Sequence, residues 1–143
     1  MFERYTEKAR RVIFFARDEV SRYGSSRIQS EHLLLGLLKV DENLIRSLPS
    51  DSSIEEIRKE LEHNIETGKP LPTSVGVPFS PECELIAAFA LEEINQLNHD
   101  RVETDHLLLG ILHGGSPASQ ILQKHGLEYS AVRERVVNRT WRT

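Results

Sequence analysis

The chain has 143 residues, 38% hydrophobic and 28% charged, with a formal net charge of −4. That size and composition suit an ordinary soluble fold of one domain or two small intimate ones, and an acidic balance with no basic stripe argues against a nucleic-acid partner. The single Cys83 excludes an internal disulfide framework and fits a reducing compartment, and no apolar run is long enough to span a bilayer.

Glu3, Arg4, Glu7, Lys8, Arg10 and Arg11 crowd the start, and only Val12 to Ala16 is apolar there, so no signal peptide is legible. The expectation is a cytoplasmic protein with no membrane partner. Thr6 is a plausible cap for a first long helix, whose Tyr5, Ala9, Val12, Ile13, Ala16, Val20 and Tyr23 recur at spacings of three and four. Gly24 with Ser25 and Ser26 ends it. A helix opening at Ser30 follows, apolar on every face and therefore buried all round. Asp41 is a candidate cap for a short third helix carrying Leu44, Ile45 and Leu48, stopped by Pro49. Ser53 with Glu56 is a capping-box pattern for a fourth helix, with Ile54, Ile57, Leu61 and Ile65 inward and Gly68 closing it.

Residues 69–78 hold Pro70, Pro72, Gly76 and Pro78 and read as an irregular linker. Ser80 and Pro81 then open a helix with Cys83, Ile86, Ala87, Ala90, Ile94 and Leu97 as its apolar stripe. A second all-apolar helix starts after Thr104. Ser116 and Pro117 open a short one with Ile121 and Leu122, ended by Gly126, and Ser130 opens a last one with Val132, Val136 and Val137, near whose end stands Trp141.

Two stretches match: Ser30-Glu31-His32-Leu33-Leu34-Leu35-Gly36-Leu37-Leu38 and Thr104-Asp105-His106-Leu107-Leu108-Leu109-Gly110-Ile111-Leu112, 74 positions apart. In each, the hydroxyl can accept from an orphan helix N–H and the acid sits where the dipole favours it. Gly36 and Gly110 cost helix propensity, which predicts another backbone passing close by. The same offset aligns Tyr5 with Phe79 through Leu48 with Leu122 without a gap, including Phe15/Phe89, Ala16/Ala90, Glu19/Glu93 and Arg27/Arg101. No strand alternation is present. The reading is an all-α fold, a pseudo-two-fold tandem repeat of two four-helix units packed as one eight-helix domain over 1–143: repeat 1 over 1–68, linker 69–78, repeat 2 over 79–143.

The stretch from Phe2 to Val12, with the doubled Ser/Thr-acid-His-Leu-Leu-Leu-Gly motif, resembles the N-terminal domain (Clp N, or double Clp repeat) of ClpC- and ClpA-type AAA+ unfoldases over essentially the whole chain. The resemblance implies a non-catalytic interaction module that recruits substrate proteins and adaptor proteins to a Clp ATPase and peptidase complex. No cofactor is implied. No G-x-x-x-x-G-K-[ST] loop is present, so this stretch is not the ATPase. Two alternatives stay open: a free-standing accessory protein that docks on and modulates a Clp protease, and an enzyme with a small-molecule pocket. The family carries Gly before each motif hydroxyl where this chain has Gln29 and Glu103.

In ClpC-type relatives the motif acids are implicated in binding phosphorylated arginine. The matching candidates are Ser30, Glu31, Thr104 and Asp105. A carboxylate can pair with a guanidinium while helix N–H groups suit a phosphate; the plainer alternative is that both acids only complement the helix dipole. Glu103 opposes a phosphate, so the first cap is expected to bind more strongly. Relatives also bind hydrophobic partners near the repeat junction, which makes Phe2, Ile13 and Phe79 candidates; closing the ends of the core is the alternative. His32 and His106 read as hydrogen-bonded core or boundary residues, Cys83 as packing, and no set of metal ligands or catalytic triad is legible.

Overall fold

A computed structural model describes residues 2–48, 50, 53–72 and 76–142, with backbone alone for 139–142. Among the described residues there are seven helices and no strand beyond two isolated bridges, so the chain is all-α. They are α1 (Glu7–Tyr23), α2 (Ser30–Arg46), α3 (Ile54–His63), α4 (Pro81–Gln96), α5 (Thr104–His113), α6 (Pro117–Lys124) and α7 (Tyr129–Arg142). Thr6, Ser53, Ser80 and Ser116 cap α1, α3, α4 and α6 as their sequence signatures predict, each hydroxyl accepting from the N–H three residues on. Gly24 closes α1 in the left-handed conformation at φ +72°.

The short third helix stands where expected: α2 is two helices joined across a kink at Asp41, whose non-helical backbone (φ −142°, ψ 58°) precedes the stretch carrying Leu44 and Ile45. Two expectations are corrected. The stretch after Ser53 is helical only to His63, and Asn64 rather than Gly68 caps it. The last helix begins at Tyr129, one residue before Ser130. Pro49, expected as a stop, and the Trp141 side chain lie outside the described residues.

The two motif helices form the centre. Every residue from Ser30 to Leu38 and from Thr104 to Leu112 is buried. α1 packs along α2 and α4 along α5, while α2 also meets α5 and α6, and α7 covers α5. The motif glycines permit the closest of these approaches. A Cβ on Gly36 would lie 2.5 Å from the Val12 carbonyl oxygen, and one on Gly110 would lie 2.5 Å from that of Ile86. Val12 and Ile86 are themselves 74 positions apart, so one contact is built twice.

The repeats are tied by exchanged segments. Thr6 N–H donates to Val102 O (3.0 Å) and Val102 N–H to Arg4 O (2.8 Å). Ser80 N–H donates to Ile28 O (3.0 Å) and Ile28 N–H to Pro78 O (2.9 Å). Each bond of the second pair is the first shifted by the sequence offset. The segment before α1 thus pairs with the segment before α5, and the segment before α4 with the one before α2.

Candidate functional site

Each motif helix begins one residue earlier than its hydroxyl suggests. Gln29 and Glu103 occupy the caps, and Ser30 and Thr104 take the first helical position. The cap hydrogen bond comes from the histidine instead. His32 Nδ1 accepts from Gln29 N–H (2.9 Å), and His106 Nδ1 accepts from Glu103 N–H (2.8 Å). Accepting there places the imidazole proton on Nε2. From that atom His32 donates to Ser25 Oγ (3.2 Å), which donates on to Glu66 O (3.1 Å). His106 donates likewise to His99 Nδ1 (2.7 Å), and His99 is the offset equivalent of Ser25. Burial lowers the His32 pKa to about 4, so the neutral cap is the stable one.

The displaced hydroxyls reach across to the other repeat. Ser30 Oγ accepts from Ala118 N–H (3.2 Å), an orphan donor at the start of α6, and donates to Glu31 Oε1 (3.1 Å). Thr104 Oγ1 donates to Asp41 Oδ2 (2.7 Å) at the α2 kink, and Lys8 Nζ lies 3.4 Å from the same oxygen. Ser30 therefore does satisfy an orphan N–H, but on a different helix from its own.

Each motif acid opens on a pocket. Glu31 shares a cavity of about 270 Å³ with Gln29, Glu66, Glu82 and Pro117. Ser30 N–H donates to Glu82 Oε1 (3.2 Å), so a carboxylate already lies at the α2 N-terminus. Burial raises the Glu31 pKa, and repulsion from Glu82 and Glu66 adds to the rise. Asp105 lines a wider groove of about 950 Å³. Its apolar floor includes Leu44, Leu48 and Val132, and its rim carries Asp41, Glu103 and Glu134 beside Arg135. The position equivalent to Glu82 is here Lys8. The first pocket sets carboxylates with no Lys or Arg among its described lining residues, and the second sets four carboxylates against Arg135, arrangements that hold a cation by hydrogen-bonded ion pairing. Glu66, Glu82 and Arg135 were not singled out by the sequence pattern, and Asp41 only as a helix cap, because they come from other helices or the other repeat. The offset supplies the one usable signal, the inversion of Lys8 to Glu82.

The second candidate group is only partly brought together. The Phe2 ring stands 5.7 Å from that of Phe79 and 5.0 Å from that of Tyr5, with Phe2 and Phe79 half-buried. Ile13 is 4% exposed and belongs to the core, so it offers no surface to a partner. The Tyr5 hydroxyl is buried without a hydrogen-bond partner, and burial pushes its pKa up to about 12. The Cys83 thiol is buried too, its pKa pushed up to about 12 by burial, which makes it unreactive packing. No group of three or more metal-binding side chains occurs among the described residues. No described helix is long and apolar enough to cross a membrane.

The family model for the Clp repeat (R) N-terminal domain matches residues 4–125. The ATP-binding subunit ClpA homolog of the ATP-dependent Clp protease from Guillardia theta is 34% identical over 140 residues, which are 96% of this chain and 17% of that protein. Chaperone protein ClpC1, chloroplastic, from Arabidopsis thaliana is also 34% identical over 140 residues, covering 96% of this chain but only 15% of its own length. Among solved structures, the N-terminal domain of the chaperone ClpD from Arabidopsis thaliana is 25% identical with a TM-score of 0.75, covering 98% of this chain and 99% of that one. The Hsp104 N-terminal domain from Candida albicans shares the fold at 16% identity, with a TM-score of 0.76 over 94% of this chain and 90% of that one.

Proposed function

This chain belongs to the Clp repeat N-terminal domain family, and on that premise we propose that it is a non-catalytic interaction module that recruits substrate or adaptor proteins to a Clp AAA+ unfoldase. The observation that carries the reading is the pair of acid-lined pockets, each opening on the motif acid at the start of a buried central helix. A partner held there presents arginine or lysine, because a buried carboxylate gains most from a cation that can also donate hydrogen bonds. Each pocket is walled by both repeats, Pro117 in the first and Asp41 with Asp105 in the second, so residues 1–68 and 79–143 act as one recognition unit joined by 69–78. The lone reduced cysteine supports a cytoplasmic setting.

For a phosphorylated arginine the two pockets differ. Glu82 stands at the α2 N-terminus, where a phosphate would otherwise find backbone N–H groups. The second groove sets Arg135 on its wall, with Lys8 nearby on Asp41, against Asp41, Glu103, Asp105 and Glu134, whereas the first is lined by Glu31, Glu66 and Glu82 with no described Lys or Arg, so the second opposes a phosphate less. The second site is therefore the stronger one for phosphoarginine, in place of the order that the caps alone suggested. Calorimetric titration with an arginine peptide and its phosphoarginine twin tests this. Glu31→Ala and Asp105→Ala are each expected to weaken the arginine peptide, and Asp105→Ala to weaken the phosphorylated one more. If neither substitution changes either titration, the acids only complement the helix dipoles, and the pockets give the recruitment reading no support.

A further inference from the structure

The exposed large apolar side chains among the described residues are Phe14 (64% exposed) and Leu85 (57% exposed). Phe14 stands on the outer face of α1, with Arg10 and Arg17 one turn away on either side and Arg11 beside them, all exposed. The offset places Glu84, Leu85, Ala88 and Leu91 of α4 at the positions of Arg10, Arg11, Phe14 and Arg17. The buried faces of these helices match in kind, as at Val12/Ile86 and Ala16/Ala90, whereas the outer faces invert. One carries a projecting ring between arginines. The other carries a small residue, Ala88, bordered by Leu85 and Leu91, with Glu84 and Glu92 one turn away on either side.

We propose that the two faces dock on each other between copies of this chain, the α1 face of one molecule on the α4 face of the next. Phe14 then fills the gap over Ala88, as a side-chain knob fills a hole between facing helices. Arg10 and Arg17 reach Glu84 and Glu92 whether the helices run parallel or antiparallel, because both charge pairs straddle the central residue. The charges are available. Among the described residues, Arg11, Arg17 and Glu84 have no side-chain partner. Arg10 donates to the Phe2 and Glu3 carbonyls with the Glu3 carboxylate nearby, and Glu92 accepts from the Gln96 amide; both side chains are exposed and open to a partner. One helix crossing is smaller than a stable dimer interface, so the contact is weak in dilute solution and strengthens when copies are held close together. Because the faces differ, the contact is head-to-tail and leaves one face of each kind open for a further copy.

Sedimentation equilibrium at low salt, up to millimolar concentration, tests the inference. The chain is expected to self-associate reversibly. Arg10→Glu/Arg17→Glu and Glu84→Lys/Glu92→Lys, each confirmed folded by circular dichroism, are each expected to weaken self-association by about tenfold or more. An equimolar mixture of the two variants restores it, since the reversed α1 face of one complements the reversed α4 face of the other. A second measurement is independent of affinity. Phe14→Cys chains mixed with Ala88→Cys chains should form a mixed disulfide dimer faster than either forms a homodimer. A chain that stays monomeric at millimolar concentration and shows no such preference overturns the proposal, and leaves the basic α1 face to an acidic partner of another kind. Self-association that neither variant weakens overturns it as well.

Discussion

At the scale of single residues, the histidines of the two motifs carry the most specific roles. His32 is 1% exposed and its neutral Nδ1 closes the α2 cap. Burial lowers its pKa from 6.5 to about 4. Between those values the unfolded chain holds the proton that the folded chain refuses, so acid favours unfolding. The His32 contribution is complete above pH 6.5 and is lost as the pH falls toward about 4, at most about 3 kcal/mol. Urea titrations from neutral pH down to this range should therefore show falling stability, and His32→Asn should flatten that dependence while lowering stability throughout. A wild-type midpoint constant over the range would mean that His32 is not the acceptor described. The sequence made the burial of both histidines legible, from the apolar run that follows them. It did not reveal the cap, because the ring is turned by Ser25 or His99, seven residues upstream. The Ser30 hydroxyl was misplaced for a similar reason: its partner, Ala118, is 88 residues away. Glu82 yields a second prediction. Glu82→Lys should raise phosphoarginine affinity in the first pocket severalfold, an effect below about 1 kcal/mol for charges at a partly open site. Calorimetry in the Asp105→Ala background isolates that pocket, and unchanged or lower affinity would contradict it.

At the scale of helices, the glycines were the most readable feature. Gly→Ala in an exposed helix interior ordinarily stabilises by about 1 kcal/mol. At Gly36 and Gly110 the added methyl meets a carbonyl oxygen at 2.5 Å on the neighbouring helix, so the sign reverses. Gly36→Ala and Gly110→Ala should each cost about 1–3 kcal/mol by urea denaturation, as overpacking does. A stabilised variant would mean that α1 and α2, or α4 and α5, pack more loosely than described. Helix ends were read less well than helix faces. The apolar spacing of Leu44, Ile45 and Leu48 correctly placed a helix after Asp41, but spacing does not show that the break before it is a kink and not a loop. The distinction rests on Asp41 itself, whose carboxylate is held by Thr104 and Lys8 from elsewhere in the chain.

At the scale of the molecule, the repeats share their core and their pockets. Leu34 and Leu108 are both fully buried, one on each central helix. Leu34→Ala and Leu108→Ala should each cost about 2–5 kcal/mol. Because α2 and α5 touch each other and the linking segments are exchanged, either substitution should move a single unfolding transition rather than split it in two. Far-UV dichroism and tyrosine fluorescence tracing different midpoints in either variant would show that the repeats unfold separately. The offset in the sequence announced the duplication and the buried face of each helix. It could not announce which copy pairs with which, because backbone hydrogen bonds leave no trace in side-chain pattern.

Divided between α3 and α4, the two halves would still hold each other by the same four backbone bonds, each lending its leading segment to the other. The arrangement is the one that a symmetric pair of identical short chains would make. In such a pair both mouths would be alike; within this one chain the halves differ, as at Lys8 and Glu82 or Ser25 and His99, and the two mouths differ with them.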